Sequence, residues 1–66
     1  MDVSINNATK VVADYITITE MLAFLGIISS GIAIAINNNV VPKTIWNSHI
    51  LQHNDQVTII RATQGG

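Results

Sequence analysis

The sequence predicts an α+β domain, a mixed sheet of four to five short strands with one helix lying across one face. Three observations carry this. A capped helix opens at Thr17-Ile18-Thr19-Glu20 and closes at Gly26, Ile32-Ala33-Ile34-Ala35-Ile36 alternates with strict period 2, and a β-branched run, Val57-Thr58-Ile59-Ile60, comes near the end. The order is a hairpin, a helix and three further strands, which places the helix on one side of a single sheet.

At the N-terminus Val3 and Ile5 alternate with Asp2, Ser4 and Asn6, the pattern of a strand with one buried face. Asn6-Asn7 supplies a turn, and Lys10-Val11-Val12-Ala13 is the expected return strand. In the helix, the Thr17 side chain can accept from the Glu20 N–H while the Glu20 carboxylate reaches back to the Thr17 N–H, a capping box, with Ile16 and Met21 placed for a hydrophobic staple. Ile18, Met21, Leu22 and Leu25 then share one helical face, and Gly26 ends the helix because glycine enters the left-handed region without a Cβ clash. Such a short helix must draw its stability from packing that face on the sheet.

Ile32 to Ile36 puts isoleucines on one face and alanines on the other. Asn37-Asn38-Asn39 turns the chain, Val40-Val41 is a brief strand, and Pro42 ends it because it lacks a donor for the ladder. Lys43 to Trp46 reads as a helical turn with Trp46 closing one end of the core. His53-Asn54-Asp55 is a turn before the final strand. If Val57 and Ile59 face the helix, Thr58, Ile60 and Ala62 face outward, where an apolar patch suggests a docking surface.

Composition excludes several classes of function. At 66 residues the chain is one domain near the size at which a single core is marginal, with little surplus for a deep catalytic pocket. A hydrophobic content of 48% against 11% charged residues argues for a dense core rather than disorder. The net charge of -1 and only three scattered cations, Lys10, Lys43 and Arg61, argue against nucleic acid. There is no cysteine, hence neither a disulfide framework nor a thiolate metal site or nucleophile. Met21 to Ile36 is 16 residues without a charge, but it falls short of a membrane span and changes period after Gly31. No signal peptide is expected at the acidic Met1-Asp2-Val3. His49 and His53 are four apart, yet no third ligand is evident and Ile50-Leu51 looks like strand leading into a turn, so no metal site is expected.

The chain finishes on Gln64-Gly65-Gly66. Side-chain-free residues at a terminus favour a narrow, mobile tail, so the expected organisation is a domain over 1–63 and a tail over 64–66. Three extended residues reach roughly 10 Å, far enough to enter another protein's cleft. The α-carboxylate at the end of such a tail is ionised at neutral pH and a poor electrophile, so another enzyme must activate it. The chain has no phosphate-cradling glycine loop and no catalytic triad with which to do this itself.

Ala35-Ile36-Asn37, Val41-Pro42-Lys43 with Trp46 three further on, Asp55-Gln56-Val57 and Gly65-Gly66 together resemble the β-grasp, ubiquitin-like proteins. Within them, the chain is most similar to the ThiS-type sulfur carriers of bacterial and plastid thiamine biosynthesis. The likeness extends over essentially the whole chain. One departure is Asn54, where such carriers commonly have Gly before the Asp; Asn is the next-best residue for a left-handed backbone. The resemblance implies that Gly66 is adenylated by an E1-like, ThiF-type adenylyltransferase that consumes ATP. A sulfur-donating enzyme then supplies the sulfur of a thiocarboxylate, and a ThiG-type thiazole synthase uses it. It also implies no cofactor bound to the carrier, no catalytic residue within it, and a cytoplasmic or plastid-stromal location. Two other readings share the tail: the small subunit of molybdopterin synthase, usually a longer chain without the Val-Pro-basic-x-x-Trp segment, and a ubiquitin-like modifier that forms isopeptides with lysines.

Overall fold

Two Asn-Asn pairs and one capping box set the turns of this chain. In the computed structural model, which describes residues 1–62, the elements are β1 (Asp2–Ile5), β2 (Ala8–Val11), α1 (Ile18–Leu25), β3 (Ile32–Ile36), β4 (Asn39–Val41), a 3₁₀ turn (Lys43–Ile45) and β5 (Gln56–Arg61). The five strands form one sheet in the order β2-β1-β5-β3-β4. β1 runs parallel to β5, while the β1–β2, β3–β5 and β3–β4 pairs are antiparallel. The last strand in sequence is therefore the middle strand of the sheet. The expected boundary at residue 63 and the tail Gln64-Gly65-Gly66 lie outside the described residues.

The hairpin differs from the sequence expectation at both ends of its return strand. The strand runs from Ala8 to Val11, not from Lys10 to Ala13, with Ile5 paired to Ala8 and Asp2 to Val11. Asn6 and Asn7 have φ of 49° and 70°, so both central residues take the left-handed conformation that a tight two-residue hairpin turn requires. Pairing then begins on the next residue. Val12, beyond the strand, is buried and donates its N–H to Met1 O at 2.9 Å. Asn37 and Asn38, with φ of 50° and 69°, do the same between β3 and β4, which leaves Asn39 free to join β4.

Helix α1 forms as its sequence dictates. Thr17 Oγ1 accepts from Glu20 N at 3.1 Å, Glu20 Oε1 accepts from Thr17 N at 3.0 Å, and Gly26 closes the last turn at φ 70°. Ile18, Met21 and Leu22 are buried and Leu25 partly so. They meet Val3, Ile5, Ile34, Ile36, Val41 and Val57 from the sheet, with Leu51 and Trp46 completing the core. Trp46 satisfies its buried indole by donating Nε1–H to Val41 O at 2.8 Å. Ile50 contributes only an isolated bridge to Thr17, not a strand. No described helix is long and apolar enough to cross a membrane.

One buried polar group ties the turns to β5. The Asp55 carboxylate accepts from Gln52 N at 2.8 Å and from Asn37 Nδ2 at 3.0 Å, while Asn37 Oδ1 accepts from Gln56 N at 2.9 Å. This network holds the entry to β5 against the β3–β4 turn. Asn54, before it, has φ 69°, the left-handed geometry for which Asn is suited.

Candidate functional site

The site is built on β5, the strand that leads into the tail. Side chains alternate along it: Val57 is buried and Ile59 partly buried against the helix side, whereas Thr58, Ile60 and Ala62 are exposed on the opposite face. Ile60 pairs with Ala33, Thr58 pairs with Ala35, and Ala35 pairs with Val40. Residues paired across strands share a face, so the helix-free side of the sheet carries a continuous apolar surface of Ile60, Ala33, Ala35 and Val40.

This face carries the three residues expected from parity, Thr58, Ile60 and Ala62, and adds three that the sequence reading did not include, Ala33, Ala35 and Val40. Val40 is 73% exposed and Ile60 51%, while Ala35 is shielded to 8% by Thr58 and Val40 flanking it. Ala33 and Ala35 could have been found from the alanine face of Ile32-Ala33-Ile34-Ala35-Ile36, which lies opposite the isoleucines. What sequence could not supply is the adjacency of β3 and β5. Two large apolar side chains beside small ones, on a face that no described element covers, are suited to protein contact.

The base of the tail is held firmly on one side. Ala62 N donates to Gly31 O at 2.7 Å, so the β3–β5 pairing runs one residue past each strand. On the other side β1 reaches only as far as Ile5, which pairs with Val57, and Asn6 N donates to Val57 O at 2.9 Å. There the Asn6 side chain takes over: its Oδ1 accepts from Ile59 N at 2.8 Å and its Nδ2 donates weakly to Ile59 O at 3.4 Å. Sequence reasoning placed Asn6 at the outward end of the first strand and in the turn, and missed this contact.

Other side chains singled out from sequence are engaged in structure. His53 Nδ1 accepts from Asp2 N at 3.1 Å, and the segment from His49 to His53 is not helical, so the spacing of the two histidines does not bring them to one helix face. A shallow groove of about 340 Å³ on the helix side is floored by Leu22 and Trp46. Lys43, whose Nζ lies 5.9 Å from the Trp46 ring centroid, is the only ionisable residue among those lining it. Thr19 and Ser29 bring hydroxyls to the same groove, but no His, Asp or Glu lines it to act as their base.

Comparison with known proteins places this geometry. The sequence profile described as the ThiS family matches residues 3–66. The chain is 38% identical over 50 residues to the sulfur carrier protein ThiS of Escherichia coli strain K12, covering 76% of each chain. A crystal structure of the thiamine biosynthesis protein ThiS from Geobacter metallireducens superposes with a TM-score of 0.87 over the whole of both chains at 20% identity. A solution structure of a thiamine biosynthesis protein from that organism gives 0.78 over all of this chain and 88% of the other, also at 20% identity. The two solved structures show the β-grasp fold, and the profile and the E. coli relative show the family: the chain belongs to the ThiS family.

Proposed function

We propose that this chain is a sulfur carrier of thiamine biosynthesis whose reacting group is the carboxylate of Gly66. The supporting observation is the family match, which runs through residue 66 and so includes Gln64, Gly65 and Gly66. An E1-like, ThiF-type enzyme binds the exposed face of the sheet and brings the carboxylate to ATP. The carboxylate oxygen attacks the α-phosphate, pyrophosphate leaves, and the product is a mixed anhydride with AMP. The terminal sulfur of a persulfide on the sulfur-donating enzyme displaces AMP at the carbonyl carbon to give an acyl disulfide, and a second thiol of the donor attacks the donor's own sulfur in that bond, releasing the thiocarboxylate and leaving a disulfide on the donor. A ThiG-type thiazole synthase then takes the sulfur.

The division of labour follows from the residues. A tail ending in two glycines lets the partner's channel be narrow enough to exclude water from the acyl-adenylate. The carrier supplies reach and shape, and its partners supply ATP binding and catalysis. The deciding measurement is the intact mass of the protein after incubation with the adenylyltransferase, ATP and a sulfur source. Exchange of one oxygen for one sulfur at the C-terminus is expected. Attachment to lysines of other proteins without gain of sulfur would replace this reading with that of a modifier.

A further inference from the structure

The main chain of β5 is satisfied unevenly along its two sides. Ala62 N bonds Gly31 O, so the even residues of β5 present their N–H and C=O to β3. The odd residues present theirs to β1: Val57 O accepts from Asn6 N, and Ile59 is bonded through the Asn6 carboxamide. Arg61 is the next odd residue. Its pairing with Ile32 is the non-hydrogen-bonded kind, and β1 has ended. Among the described residues nothing bonds the N–H or C=O of Arg61 on that side. A middle strand thus becomes an edge strand in its last turn of the pleat, in line with β1 and just beyond the Asn6 side chain.

An unpaired, exposed strand edge is a template for another strand. We propose that the activating enzyme adds an extended segment of its own to this edge, hydrogen-bonding the N–H and C=O of Arg61 and continuing the line of β1. The inference rests on the carrier reading. It specifies how the tail is aimed: strand addition fixes the direction of the chain at Arg61 by main-chain bonds, with Ile60 on the patch and its neighbour Ala62 still held by Gly31. Two features of the structure favour a foreign strand over a second copy of the chain. The slot is one residue deep before the Asn6–Asn7 turn blocks it, and Arg61 carries the only charge of β5, which opposes its approach to an identical strand.

The test uses the full chain, made by chemical synthesis, with Arg61 N-methylated to remove one donor. An Arg61→Ala variant reports on the side chain. Because the Arg61 N–H bonds nothing within the described fold, the N-methyl chain should melt as the unmodified one does. Its Kd for the E1-like enzyme should rise at least about tenfold, with a smaller change for Arg61→Ala. In the unmodified chain the Arg61 amide should exchange rapidly when free and gain protection in the complex. Wild-type affinity of the N-methyl chain, or an Arg61 amide that stays unprotected in a complex that does form, would overturn the inference and leave the carrier reading standing. Protection that grows with the concentration of the chain alone would assign the edge to a second copy and likewise overturn it. Failure of the unmodified chain to be adenylated would remove the carrier reading and this inference with it.

Discussion

Asn6 bonds the main chain of Ile59 with its carboxamide, accepting from Ile59 N at 2.8 Å across a separation of 53 residues. A side chain on a hairpin turn thus does what another residue of β1 would otherwise do. Asn6→Gly keeps the left-handed turn and removes the amide, and should destabilise by about 0.5–1.5 kcal/mol, the net worth of a typical hydrogen bond. Asn6→Ala should add roughly 1 kcal/mol for the Cβ at φ 49°. Urea denaturation of the two variants separates these effects.

The helix cap and the core beneath it give a second expectation. Thr17→Ala should destabilise by about 0.5–2 kcal/mol through loss of the capping box. Leu22→Ala, at a side chain 3% exposed, should destabilise by about 2–5 kcal/mol. Denaturant melts in which Leu22→Ala proved neutral would show that this helix face is not the core.

Asp55 is the buried polar side chain of the described fold, and its bonds go to Gln52 N and Asn37 Nδ2. Asp55→Ala would leave both donors unsatisfied and should lower stability by about 1.5–3 kcal/mol at neutral pH. The amide of Gln52 should then exchange faster than in the parent, which hydrogen exchange can read directly.

The helix-free face should separate binding from folding. Ile60→Asp and Val40→Asp each alter an exposed side chain, so the thermal midpoint should stay nearly unchanged. Each should weaken binding to the activating enzyme by placing an unpaired charge in an apolar contact. Calorimetry giving wild-type affinity for both variants would remove this face from the account.

Deleting Gly66 moves the terminal carboxylate back by about 3.3–3.6 Å, more than the displacement that can cost roughly 10²-fold in a positioned reaction. Gly66→Ala keeps the reach but adds a methyl beside the reacting carbon, and should slow adenylation without abolishing it. A reconstituted assay scored by mass should show sulfur on the parent chain and none on the deletion. Equal thiocarboxylate on both would refute the tail mechanism.

The legible parts of this fold are the ones written locally. Thr17 and Glu20 define the helix start, Gly26 defines its end, and the Ile-Ala alternation defines β3, all within a few residues of chain. The outward parity of Thr58, Ile60 and Ala62 is local too, and the structure places all three on the exposed face. The start of β2 was misplaced because two consecutive left-handed Asn residues turn the chain in less space than a looser turn needs. What remained hidden depends on distant partners. Val40 joins the patch only because β3 lies between β4 and β5, Asp55 is buried only because Asn37 meets it, and Asn6 reaches Ile59 only because β1 lies beside β5. The role given to Gln64, Gly65 and Gly66 comes from chemistry and family.

The central position of β5 also governs when the molecule can exist at all during its synthesis. The strands beside it, β1 and β3, have both left the ribosome before β5 emerges, and within the sheet they are joined only through it. A nascent or prematurely stopped chain lacking Gln56 to Arg61 therefore lacks the middle of its sheet and the core side chains Val57 and Ile59, leaving two hairpins with no strand between them. A polypeptide stopped that early cannot offer an activating enzyme the folded face it would dock on. Folding itself thus screens for chains that have been extended to the base of the tail.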